Sequence, residues 1–280
     1  MVANAYLIYT TRLIVGQTKI SERYAVDADR LLLLFREDYI TPKGRLACDT
    51  QTSYALGLKF GLFEEDQRDV ARKRLGHLVG WDRFNITTGF AGTPIILQVL
   101  ADNGMLNLAY RMLQERDCPS WLYPVRMGAT TIWERWNSML EDGSINPGQM
   151  TSFNHISLGS VCSFLHNVVG GLGHIAPGWR EALIKPQPGG TVRSARTAFD
   201  SPYGPFEVDW KIEEREGKMV TKVKVPPNEE AQVVLRGVDE TVGSGEYIFE
   251  TDWQDDPEWP PACVPGPQRN MSKVTLFLSK

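Results

Sequence analysis

From Asn4 to about Leu172 apolar positions recur at three- and four-residue intervals, in runs cut by Gly, Pro and Asp turns. That period is the signature of successive amphipathic helices. The spacing predicts helices over roughly 4–17, 21–38, 50–61, 64–79, 90–103, 106–115 and 152–171, with ends good to about two to four residues. Glu64-Glu-Asp-Gln-Arg-Asp places acids in a first turn, where the helix dipole favours them. Asp102-Asn-Gly is a C-terminal stop signal. Pro94 is expected near the first turn of its helix, where a missing N–H costs nothing.

After Gly173 the pattern changes. Pro and Gly become frequent, helical periodicity ends, and short alternating runs take over. Strands are expected at Ala182 to Lys185, Thr191 to Phe199, Gly204 to Glu213, Met219 to Val225, Ala231 to Arg236, Tyr247 to Thr251 and Val274 to Leu278. Thr221-Lys-Val-Lys-Val alternates polar and apolar positions and stops at Pro226, as a half-buried strand does. The division is a helical domain over 1–172 and an antiparallel β-sandwich over 173–280. The helices show no fixed-period repeat, so a simple solenoid is not supported. Short-looped helical hairpins can curve into an α/α toroid or form a globular bundle, and composition accommodates both.

Composition narrows the function classes. The 280 residues are 42% hydrophobic and 23% charged, enough to bury a core. A formal charge of −4, with no block of like charges, gives no electrostatic footprint for nucleic acid. Thr10, Thr11 and Arg12 interrupt the apolar stretch Ala5 to Val15, so neither a signal peptide nor a membrane span is visible. Cys48, Cys118, Cys162 and Cys263 lie far apart, without a CxxC pair or a clustered His. No metal or other cofactor is expected, and reduced thiols in the cytoplasm fit best. The sequons at Asn85 and Asn270 matter only for a secreted chain.

The chemistry concentrates in Pro119-Ser-Trp-Leu-Tyr-Pro-Val-Arg-Met-Gly-Ala-Thr-Thr-Ile-Trp-Glu-Arg-Trp-Asn. Here Trp121, Trp133 and Trp136 flank one carboxylate, Glu134, with Arg135 beside it. A sugar ring stacks its apolar face on aromatic rings and presents hydroxyls to charged or amide partners, so the mixture suits a pyranose pocket. The structural alternative is as concrete. Thr131-Ile-Trp-Glu134 has the spacing of a capping box, which would make Trp133 and Trp136 ordinary core of a helix. Thr151-Ser-Phe-Asn-His155 carries the same ambiguity: Ser152 could cap the last helix with His155 in its first turn, or His155 could bond a substrate hydroxyl or Glu134. Glu141-Asp-Gly reads as a turn. Gly170-Gly-Leu-Gly reads as a linker, and His77, His166 and His174 show no ligand spacing.

Five stretches resemble, in order and at compatible spacing, motifs of the inverting α-L-rhamnosidases of glycoside hydrolase family 78. They are Asp49-Thr-Gln-Thr-Ser-Tyr-Ala-Leu-Gly-Leu, Thr87-Thr-Gly-Phe-Ala-Gly-Thr-Pro, Gly128-Ala-Thr-Thr-Ile-Trp-Glu-Arg-Trp, Ser152-Phe-Asn-His and Ser201-Pro-Tyr-Gly. The resemblance covers residues from about 4 to about 236. It implies the C-terminal half of a catalytic (α/α)6 barrel, a partial toroid, followed by a β-sandwich. It also implies that Glu134 is the general base activating water and that His155 contacts the sugar, with Ser152, Phe153 and Asn154 at the preceding motif positions. The family's general acid lies in the first half of the barrel, upstream of everything present here. Inverting hydrolysis needs two carboxyl groups about 6.5–9.5 Å apart, and loss of acid assistance removes a factor of about 10² to 10⁴. A half-toroid should also expose the apolar flank of its first helix.

Three functions are therefore open at this stage. One is a rhamnosidase-like hydrolase that is whole only with a missing half, in a longer chain or another subunit. A second is a repurposed cyclase or isomerase of small molecules that uses the aromatic pocket. The third is a non-catalytic binding module. The partners expected are a glycoside or other small molecule, and a second copy or a complementing half on the exposed flank.

Overall fold

The computed structural model describes residues 1–15 and 21–265. Helices α1 (Val2–Ile14), α2 (Ser21–Tyr39), α3 (Gln51–Lys59), α4 (Arg68–Trp81), α5 (Gly89–Asp102) and α6 (Leu106–Leu113) follow one another as three hairpins. The short α7 (Leu122–Arg126) comes next. A last helical run passes from a 3₁₀ turn (Ser157–Ser160) through α8 (Val161–Phe164) to a π-helical turn (Leu165–Val169).

Sequence decides which helices lie inside. In α3 every residue from Ser53 to Leu58 is buried, and α5 buries Ile96, Leu97, Val99 and Leu100, so both are covered on most sides. The α4 and α6 helices bury one stripe each, Ala71, Leu75 and Leu78 in the first and Ala109, Tyr110 and Met112 in the second. Packing follows from this. An inner row runs α1, α3, α5, α8, and α2, α4 and α6 back onto it from outside. Each large apolar side chain buried in the row contributes about 1.5–3 kcal/mol. Thr50 starts α3 by accepting the Ser53 N–H (3.2 Å). Gly57 leaves room for the Phe63 ring, which a Cβ would meet at 2.5 Å.

The inner row ends at α1, where Ala5 and Ile8 are buried, while Leu7, Leu13, Val26, Leu33 and Leu34 of α1 and α2 are exposed. The apolar flank expected of a partial toroid is present.

The second half forms two four-stranded sheets. Their orders are β1 (Leu172–His174), β2 (Glu181–Ile184), β6 (Glu230–Leu235), β7 (Val238–Val242) and β3 (Ser194–Ser201), β4 (Gly204–Glu213), β5 (Lys218–Val225), β8 (Gly245–Asp252). Phe206, Val208, Trp210 and Ile212 alternate into the core from β4 and share it with buried Ala231 and Val233 of the other sheet's β6. The Trp210 indole N–H donates to Val169 O (2.8 Å), fastening the sheets to the end of the last helix. The Tyr110 hydroxyl donates to Gln187 O (2.6 Å), which holds the segment between β2 and β3 on α6.

Several expectations change. All pairings are antiparallel except β2 with β6, which is parallel because the chain crosses to the other sheet for β3–β5 before returning. The strands β1 and β7 and the short α7 were not anticipated, each being too short to show a period. The last helix starts at Ser157 rather than 152, because Ser152 turns its hydroxyl to the Asn154 backbone instead of capping. Val274 to Leu278 lies outside the described residues.

Candidate active site

Residues 127–156 contain no helix, so the capping-box reading of Thr131 and Glu134 is corrected. Thr131 donates its hydroxyl to Phe153 O rather than capping a turn. Two irregular segments meet here. The Glu134 N–H donates to Ser152 O (2.9 Å), and the His155 N–H donates to Ile132 O (2.8 Å). This backbone pairing brings residues 21 apart in sequence, Glu134 and His155, to one place.

The Glu134 carboxylate is held at one oxygen and open at the other. Oε2 accepts the Ser152 N–H (3.2 Å), and Oε1 lies 4.0 Å from His155 Nε2, with the Glu134 side chain 17% exposed. The separation is too long for a direct hydrogen bond, but one hydroxyl or water about 2.8 Å from each atom satisfies both. His155 Nδ1 accepts the Ser157 N–H (3.2 Å), which assigns the proton of the neutral ring to Nε2, on the Glu134 side. The imidazole stacks on Phe90 at the start of α5, with ring centroids 5.2 Å apart and planes 13° apart.

The tryptophans pack against other aromatic rings nearby in the sequence and across the loops. Trp133 is buried and meets Phe153 edge-on at 5.2 Å. Trp121 is buried, meets Trp136 edge-on at 5.6 Å, and donates its indole N–H to Leu158 O (2.9 Å). Trp121, Val125, Ile132, Trp133, Trp136 and Leu158 line an open cavity of about 250 Å³. Arg135 is a brace: Nε donates to Asn137 Oδ1 (3.1 Å) and an Nη to Gln149 O (3.1 Å), closing the 137–149 loop. Asn154 is exposed in the turn between Ser152 and His155, its N–H donating to Ser152 Oγ (3.2 Å).

Of the residues singled out from sequence, the fold brings Glu134, His155 and Asn154 together. Trp121, Trp133 and Trp136 gather around the neighbouring cavity, and Arg135 is engaged in its own loop. Sequence reasoning missed Phe90 as a site residue. Its only signal was its place in Thr87-Thr-Gly-Phe, since a single aromatic at a helix start reads as packing.

The architecture, helical hairpins followed by a two-sheet β domain, is that of the six-hairpin glycosidases. Residues 1–169 match the bacterial α-L-rhamnosidase six-hairpin glycosidase domain, and residues 171–248 match the bacterial α-L-rhamnosidase C-terminal domain. The chain belongs to the α-L-rhamnosidase family. An α-L-rhamnosidase of Streptomyces avermitilis is 37% identical over 237 residues, spanning 83% of this chain and 23% of that protein. The crystal structure of a native α-L-rhamnosidase from Aspergillus terreus superposes with a TM-score of 0.84 at 40% identity, covering 88% of this chain and 30% of that one. The Streptomyces avermitilis enzyme complexed with L-rhamnose gives 0.84 at 34% identity, over 89% and 26%. The chain therefore spans between about a quarter and a third of the length of these relatives.

Proposed function

We propose that this chain carries the general-base side of an inverting α-L-rhamnoside hydrolysis, with Glu134 as the base. Supporting the reading is the arrangement of Glu134: one carboxylate oxygen fixed by the Ser152 N–H, the other free and 4.0 Å from His155 Nε2. In the reaction a water held at Oε1 gives its proton to Glu134 as its oxygen attacks the anomeric carbon. The glycosidic bond breaks on the opposite face, and the leaving oxygen takes a proton from a general acid. His155 donates from Nε2 to a sugar hydroxyl, and Phe90 keeps that ring in plane.

The acid is supplied by residues outside this sequence, in a longer chain or another subunit, which the exposed flank of α1 and α2 would receive. The decisive assay mixes the chain with the complementing half-barrel of a relative and an aryl α-L-rhamnoside, following the product anomer by NMR. Cleavage with inversion that disappears in Glu134→Gln is the expected result. No cleavage by a folded, associated complex would overturn the reading and move the search to other substrates of the aromatic cavity.

A further inference from the structure

Two of the five family-like stretches, Asp49-Thr-Gln-Thr and Thr87-Thr-Gly-Phe, have no role in the chemistry above except through Phe90. The structure joins them into one device. Gln51, at the start of α3, is 1% exposed. Its amide Nε2 donates to Asp82 Oδ2 (3.1 Å) and to Asn85 O (3.2 Å), and its Oε1 accepts the Thr87 N–H (3.4 Å). Every hydrogen-bonding direction used by this one side chain ends on the 82–88 loop. Thr52, one residue on, donates its hydroxyl to Thr88 O (2.8 Å), and the Thr87 hydroxyl donates to Asp82 Oδ2 (3.1 Å).

The loop needs such fastening. Arg83 (φ 54°) and Phe84 (φ 64°) are in the left-handed region, and so is Gly89 (φ 58°) immediately before Phe90. For non-glycine residues that conformation costs energy and persists only where the surroundings fix it. Phe90 is 40% exposed, so its position is not dictated by burial in the core. What sets the ring against His155 is the backbone that carries it.

We propose that Gln51 is a positioning residue for the Glu134–His155 pair: its buried amide fixes the 82–88 loop, and the loop places Phe90 against the His155 imidazole. Thr52 supports the same loop one residue later. The site's significance rests on the function proposed above, but the geometric claim does not.

The test uses the whole chain with Gln51→Leu, Thr52→Val and, as reference, Phe90→Leu. With four histidines in the sequence, ring proton and carbon NMR signals are resolvable, and His155→Gln assigns the one in question. In Gln51→Leu the His155 signals should move in the direction set by Phe90→Leu, through loss of the Phe90 ring current, with far-UV circular dichroism unchanged. Thr52→Val should give a smaller movement in the same direction. The signals of His166 and His174, at the junction with the sandwich, should stay in place, which general loosening would not allow.

A folded Gln51→Leu with unmoved His155 signals overturns the proposal. If Gln51→Leu does not fold, Thr52→Val decides: the proposal stands if its His155 signals move and falls if they do not. Titration with L-rhamnose separates this claim from the functional one. Where the parent chain binds the sugar, Gln51→Leu should weaken binding about three- to tenfold, a loss of roughly 0.7–1.4 kcal/mol. Where the parent chain shows no binding, the rhamnoside reading suffers, and the His155 signals still decide the role of Gln51.

Discussion

Replacing Glu134 separates its chemical role from any structural one. Its carboxylate makes one hydrogen bond to protein, from the Ser152 N–H, and is otherwise turned to His155 and solvent. In Glu134→Gln the amide oxygen can still accept that N–H. The change there is from a charge-assisted bond, worth about 1.5–3 kcal/mol, to a neutral one, worth about 0.5–1.5 kcal/mol, so a loss of about 1 kcal/mol is the upper end for a partly exposed pair. For a chain of this size that lowers the melting temperature by roughly 2–4 °C. In Glu134→Ala the Ser152 N–H, on an exposed residue, is left to water, and the cost stays in the same range. The rate of rhamnoside hydrolysis in the complemented system should instead fall by about 10² to 10⁴ in both variants, the usual worth of a general base. Thermal melts by circular dichroism and initial rates on an aryl rhamnoside measure the two effects on the same preparations. A drop in melting temperature beyond about 10 °C for Glu134→Gln would show that the carboxylate holds the loops together. Undiminished cleavage would show that it is not the base. Either outcome refutes the reasoning.

Four further outcomes follow from the structure. Trp210→Phe keeps an aromatic ring in the sandwich core but leaves Val169 O without its donor, so it should destabilise by about 1–3 kcal/mol in denaturant melts, against about 3–5 for Trp210→Ala. Burial pushes the Cys118 thiol up to about 11, so at pH 8 it should react with an aromatic disulfide reagent far more slowly than exposed Cys48 and Cys162. By linkage, a thiol raised in the folded state stabilises fully below its ordinary value near 9, and that contribution is lost as pH rises from there to about 11. Stability measured across this range should therefore decline, and less so in Cys118→Ala. Finally, Leu13→Lys with Leu33→Lys on the exposed flank should reduce self-association in light scattering without lowering the melting temperature by more than about 2 °C.

The parts of the fold with a strong period were legible in the sequence. Helices α1 to α6 and strands β4, β5 and β8 lie within a few residues of where apolar spacing puts them, because each must turn a face to the core. The candidate site was legible as composition but not as conformation. Thr131-Ile-Trp-Glu134 fits a capping box letter by letter, yet it forms no helix, because its hydrogen-bond partners lie near residues 152–155. Nothing local distinguishes a Thr hydroxyl that bonds its own N3 from one that bonds a carbonyl 22 residues away. The same holds for Ser152, whose hydroxyl turns back on Asn154. Resemblance to the rhamnosidases supplied what spacing could not, by marking Glu134 and His155 as members of one site. It also marked Phe90 and Gln51, but only as letters of a motif. Their relation appears once α3 is seen to hold the loop before α5.

The exposed flank and the proposal that the acid comes from outside this sequence lead together to one expectation. The inner row α1, α3, α5, α8 forms an arc with Glu134 and His155 on loops near its α5 and α8 end, and Leu7, Leu13, Val26, Leu33 and Leu34 are bare at its other end. Helices that continued the arc beyond α1 would bury these side chains, each contributing about 1.5–3 kcal/mol on full burial, and would bring side chains round to face Glu134. On the function proposed above, the acid about 6.5–9.5 Å from Glu134 is carried by a segment that packs beyond α1. Covering the flank and gaining activity should therefore be one event. In a titration of the chain with a complementing half-barrel, the fluorescence of a dye bound to exposed apolar surface should fall as the rate of rhamnoside cleavage rises, with the same midpoint. Leu13→Lys with Leu33→Lys should shift both midpoints together to higher partner concentration. Activity that appeared while the dye remained bound would place the acid elsewhere and break the link between the flank and the chemistry.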